Sequence, residues 1–168
     1  MPITFTKVKL THGWLGNMAP FGMLHDDKLW FSAEALFQAL RFNNNSIKEE
    51  IRAAKSPMTA KMIAKREKAN MVVVPQSEQD LANMEMVLRL KLKQHLPLKQ
   101  LLLATGDEVI IEDCTNRPTG SGPFWGAVLT DGEWVGENTL GKLWMKIRAE
   151  VSHELSQERN KEAQDQPQ

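Results

Sequence analysis

A single cysteine, Cys114, leaves this chain of 168 residues without an internal disulfide and without a thiolate zinc site. Its four histidines, His12, His25, His95 and His153, are scattered, with no pair at metal-ligand spacing, so the sequence implies neither a metal nor a cofactor. No 18 apolar residues run together and no apolar stretch of signal length opens the chain, which excludes a helical membrane span and points to a soluble protein of a reducing cytoplasm. Net charge is lacking too, because 21 Lys and Arg balance 21 Asp and Glu. Proteins that grip a nucleic-acid backbone along a groove carry a large positive excess, so any nucleic acid would have to be read at one pocket. The glycine-rich phosphate loops and the Gly-x-Ser-x-Gly elbow are also missing.

What is present is an ordinary globular composition, 42% hydrophobic and 25% charged, at a length suited to one domain. Residues 3–9 alternate weakly, as a strand does, and a turn-rich stretch follows at 12–20. Leu29–Phe31 reads as extended, and Ser32 as the N-cap of a helix over about 33–43, with Ala33, Leu36, Phe37 and Leu40 as its buried stripe. Asn43 to Asn45 stop it. Further helices are expected over 46–54, from Ser56-Pro57 to about Ala69, and from Ser77 to about His95, the last opened by a Ser77/Asp80 capping box. Met71–Pro75 and Val109–Ile111 read as strands, Asp131-Gly132 as a hairpin turn, and a final helix starts near Asn138. The expected fold class is mainly α, an α+β chain with a few short strands, in one domain over 1–155. A polar, disordered tail is expected over 156–168.

Three features ask for an explanation. Glu34, at the second position of its helix, either stabilises the positive helix end or is a carboxylate aimed at a developing cation. Gln38 and Arg41 follow on the same face, giving a polar row beside Trp30, Phe31 and Phe37. Lys91 falls inside the stripe of Leu81, Met84, Val87 and Leu88. It either snorkels to the edge or stays buried against a phosphate or carboxylate. The loop 112–126 carries Gly120, Gly122 and Gly126, which permit close backbone approach, and Phe124 and Trp125, which offer stacking faces. An Ω-loop packed by its own tryptophan fits that spacing equally well.

The stretches Trp14–Phe21 and Ser32–Phe42 resemble the NADAR (YbiA-like) family, whose pattern runs roughly Leu-Ser-Asn-Phe, then Ser-Glu-His-x-x-Gln-Ala-x-Lys-Phe. Collinear matches continue through Ser56-Pro57, Met84–Lys91, Leu101–Asp107, Trp125-Gly126 and Gly136–Met145 to Arg148. This resemblance implies a single-domain, mainly helical NADAR fold and N-glycosidase chemistry on ADP-ribosyl or ribosylamine nucleotides, such as ADP-ribosylated guanine in nucleic acid or riboflavin-pathway intermediates. It assigns Glu34 as the catalytic carboxylate and Asn17 as a ligand of ribose or base. Trp125, Gly126 and Asn138 would shape the nucleotide pocket. The polar row and the lysine in the stripe add Trp30, Gln38, Arg41 and Lys91 as expected binding residues, with Arg41 neutralising a phosphate or fixing Glu34. The chain departs from the pattern at Ala35 in place of His, Arg41 in place of Lys and Gly122 in place of an acid, and it lacks a Trp near Pro75-Gln76. The alternative these departures support is a catalytically silent module that binds NAD or ADP-ribose.

Overall fold

The computed structural model describes residues 1–167. In chain order its elements are β1 (Ile3–Phe5), β2 (Met23–His25), β3 (Lys28–Trp30), α1 (Ala33–Ala39), α2 (Asn45–Ala53), α3 (Pro57–Arg66), α4 (Glu78–Gln94), α5 (Leu96–Ala104), β4 (Ile110–Glu112), α6 (Gly122–Trp125), β5 (Val128–Thr130), β6 (Glu133–Val135) and α7 (Thr139–Asp165). Helix dominates, as the periodicity requires. The strands pair only in twos: β1 with β4, β2 with β3, β5 with β6. The chain forms two compact units, Phe5–Leu96 and Met1–Thr4 with the stretch from Pro97 onward.

In the unit Phe5–Leu96, α1 packs on α2, α3 and α4. Each helix starts where a short polar side chain satisfies a free N–H. Ser32 Oγ accepts from Ala35, Asn44 Oδ1 from Ile47 and Ser56 Oγ from Thr59, at 3.1–3.2 Å. Although Leu40 is only half-buried, the α1 stripe is as expected at Ala33, Leu36 and Phe37, all buried. Its end is not. The α-helix closes at Ala39, and Arg41 and Phe42 donate instead to the carbonyls three residues back. The strand expected at Met71–Pro75 does not form. Val72 and Val73 both donate to the Arg41 carbonyl, and Val72 and Val74 are exposed, so the run meets no partner strand.

In the other unit, α7 packs on β4 and α6. The β5–β6 hairpin turns at Asp131-Gly132 with φ of 48° and 81°, the left-handed pair that a two-residue turn needs. Leu140, Trp144, Ile147 and Arg148 form the buried face of α7. The expected disordered tail is helix as far as Asp165, although everything beyond Leu155 is exposed. Glu158, Arg159, Lys161, Glu162, Ala163 and Gln164 are strong helix formers, so intrinsic propensity carries the helix past its last apolar contact. Of that tail, Gln168 lies outside the described residues.

Candidate active site

The polar row on α1 is present and buried. Glu34, Gln38 and Arg41 are each less than one-tenth exposed. Gln38 Nε2 donates to Glu34 Oε1 at 2.9 Å, and Arg41 Nη1 donates to Gln38 Oε1 at 3.1 Å. The other edge of the Arg41 guanidinium forms a two-pronged pair with Asp80 on α4, Nε to Oδ1 at 2.9 Å and Nη2 to Oδ2 at 2.7 Å. The guanidinium carbon also lies 4.6 Å from the Phe37 ring centroid. Asp80 is fully buried, and removing one partner from such a pair costs about 3–5 kcal/mol.

Glu34 is therefore no solvated helix-end charge. Ser32 already caps α1, and the Glu34 N–H is taken by the Asn17 carbonyl at 3.0 Å. With one carboxylate oxygen held by Gln38, the second has no hydrogen-bond partner among the described residues. Asn17 sits beside it. Its Nδ2 donates to Met84 Sδ at 3.1 Å, while its buried Oδ1 has no donor. An acceptor left so costs about 1–3 kcal/mol, which a ligand hydroxyl would relieve.

Lys91 does not snorkel to the surface. It is wholly buried, and its ammonium donates to the carbonyls of Trp14 at 2.6 Å and Gly16 at 3.1 Å, 5.2 Å from the Phe21 ring centroid. Burial pushes the ammonium down to about 7. Lys91 thus fastens the turn that carries Asn17. Arg41 is engaged by Asp80 and Gln38, and through Gln38 its guanidinium bears on Glu34.

Trp30 and Phe31 leave the row. Alternation along the extended segment turns Trp30 inward and Phe31 outward. Trp30 lines a pocket of about 170 Å³ with Leu36, Ala39, Leu40, Lys28 and Lys48. At roughly 100° per residue those α1 positions face away from Glu34, Gln38 and Arg41. The Trp30 indole N–H is buried there without an acceptor.

Trp125, Gly126 and Asn138 belong to the other unit. Trp125 is half-buried, edge-on to Phe124 with centroids 4.9 Å apart. A side chain at Gly126 would collide with the Glu112 carbonyl and the Cys114 sulfur, so this glycine is required by internal packing. The Asn138 side chain is consumed by backbone, donating to Ile110 O at 2.8 Å and accepting from Glu112 N at 3.1 Å. Among the described residues no His, Cys, Asp and Glu cluster is placed to hold a metal, and no helix is long and apolar enough to cross a membrane.

A family model of the NADAR domain matches residues 4–152. The chain belongs to the NADAR domain family. It is 31% identical to "N-glycosidase YbiA" of Escherichia coli strain K12 over 152 residues, 90% of this chain and 89% of that one. The NMR structure of E. coli YbiA superposes with a TM-score of 0.75 at 30% identity, covering 92% of this chain and 88% of the other. A "Riboflavin biosynthesis protein" of Vibrio vulnificus is 29% identical over 150 residues, 89% of this chain but 38% of that longer protein. Within this NADAR chain the departure at Gly122 has a steric basis. A Cβ there would strike the Arg117 carbonyl, so no acid fits.

Two contributors escaped the sequence reading, Asp80 and Met84 in their site roles. Both lie on the α4 face that also carries Lys91, at spacings of four and seven. Asp80 is a charge inside an apolar stripe, the same signal that singled out Lys91.

Proposed function

We propose that the chain hydrolyses the N-glycosidic bond of a ribosylamine nucleotide, with Glu34 as its catalytic carboxylate. The observation that carries this reading is the buried Glu34, one oxygen fixed by Gln38 and the other without a hydrogen-bond partner among the described residues. Breaking a ribose C1–N bond passes through an oxocarbenium-like state, and a desolvated carboxylate beside C1 stabilises that charge far better than water does. The same carboxylate orients a water whose oxygen bonds to C1 as the C1–N bond breaks, and the proton that this water gives up balances the one the departing nitrogen takes up. Asn17 Oδ1, lacking a donor, suits a ribose hydroxyl.

The names of the relatives support this chemistry, and the Vibrio vulnificus protein favours a ribosylaminopyrimidine over ADP-ribosyl-guanine as substrate. With Arg41 and Lys91 already engaged by protein groups, neither is a phosphate ligand in this reading. A reducing cytoplasm suits the buried Cys114, which forms no disulfide.

The test is incubation with a phosphorylated ribosylaminopyrimidine, NAD, and DNA bearing ADP-ribosylated guanosine, with products read by mass spectrometry. Free pyrimidine and ribose 5-phosphate in equal amounts are expected from the first. Binding of NAD or ADP-ribose with no turnover of any substrate would instead establish the silent module.

A further inference from the structure

An acid three residues after a Ser cap ordinarily turns back to the cap's own N–H. Asp80 does not. Ser77 Oγ accepts from Asp80 N at 3.3 Å, but Ser77 N–H goes to the Val74 carbonyl. The Asp80 carboxylate, fully buried, takes both prongs of Arg41, and Oδ2 also accepts from Gln76 N at 2.8 Å. Gln76 is held at φ 67°, a conformation that a non-glycine residue seldom adopts, so this acceptor anchors an unusual turn.

The consequence runs along α1. A guanidinium can only donate. The Gln38 atom facing Arg41 must therefore be its oxygen, which forces the Gln38 amide NH₂ toward Glu34. Asp80 fixes the plane of the guanidinium by gripping Nε and Nη2, and the remaining Nη1 is left pointing at Gln38. With that grip gone, the guanidinium is free to turn, Nη1 no longer fixes the Gln38 oxygen, and the amide that holds the Glu34 carboxylate loses its fixed orientation. A buried anion on a different helix thus determines which face of one amide meets the reactive carboxylate.

We propose that Asp80 is a positioning residue for Glu34, acting through Arg41 and Gln38. This rests on the reading of Glu34 as the catalytic carboxylate. Asp80 touches no substrate in this scheme. Its contribution is orientation, so its loss should appear in kcat with little change in KM.

The test uses the full chain as wild type, Asp80→Asn, Arg41→Lys and Glu34→Gln, with two readouts. The first is the Gln38 side-chain NH₂ signal by NMR in the free protein. The second is steady-state turnover of a phosphorylated ribosylaminopyrimidine. For Asp80→Asn the Gln38 protons should move toward the position and exchange rate of a solvated glutamine. In the same variant kcat should fall on the order of 10- to 100-fold, with KM within about threefold. Should Asp80→Asn not fold, Arg41→Lys carries both readouts, because a lysine cannot grip Asp80 with two prongs and also reach Gln38. A merely structural Asp80 would lower the melting temperature while leaving the Gln38 signal and kcat per folded molecule unchanged, and that result overturns the proposal. The NMR readout needs no activity. If Glu34→Gln turns over like wild type, the catalytic reading fails separately, and an unchanged Gln38 signal remains the outcome that refutes the relay.

Discussion

Lys91 places a primary ammonium where no water reaches it, and two carbonyl oxygens take its protons. Folded, it titrates at about 7; unfolded, at its ordinary 10.5. Between those values the unfolded chain binds a proton that the folded chain has shed. Unfolding then takes up a proton, so stability rises with pH across that window. Melting curves at pH 7, 8.5 and 10 should show wild type gaining on Lys91→Met as pH rises. Parallel curves would contradict the assignment. That Lys91 needed an explanation was legible, since a charge interrupts an apolar stripe. Its partners were not, because backbone carbonyls from a turn some 75 residues away leave no trace in composition or period. Arg41 shows the same limit. Its place in the row follows from i, i+3 spacing, but its partner Asp80 lies 39 residues on and carries a local cap signal that explains it equally well.

At the scale of elements, the helices were readable because start signals are local. Ser32, Ser56 and Ser77 each accept the N–H three residues on, which a sequence shows directly. Strands depend on a partner elsewhere. Met71–Pro75 has the β-branched residues of a strand but pairs with no strand among the described residues, and the Val72 and Val73 N–H groups settle on the Arg41 carbonyl instead. The end of α7 failed for the opposite reason. Apolar period sets where a helix is packed, whereas propensity sets how far it extends. Helix beyond Ser156 buries nothing, so a chain ending at Ser156 should melt within about 2 °C of the full one, by the weak cost of exposed positions. It should lose helical circular dichroism in proportion to length. Aggregation or a melting point many degrees lower would mean that the exposed turns have a packing role.

Across the whole molecule, the NADAR match spans residues 4–152 and includes both compact units. The architecture is shared with E. coli YbiA at about 30% identity, which leaves most positions free to differ. Here the lysine of the pattern has become an arginine gripped by Asp80, and the acid before Trp125-Gly126 has become a glycine that packing demands. Glu34 stands at the end of the row, held by Gln38. Exchanging its carboxylate for an amide keeps an oxygen that accepts from Gln38 and costs the fold little, whereas stabilising a nearly full positive charge on ribose is worth several kcal/mol. The most direct measurement compares wild type and Glu34→Gln on a phosphorylated ribosylaminopyrimidine, following release of the free pyrimidine under saturating conditions alongside a thermal melt. The account predicts a kcat drop on the order of 100-fold or more with little change in KM or melting temperature. Normal turnover by the folded variant would contradict it.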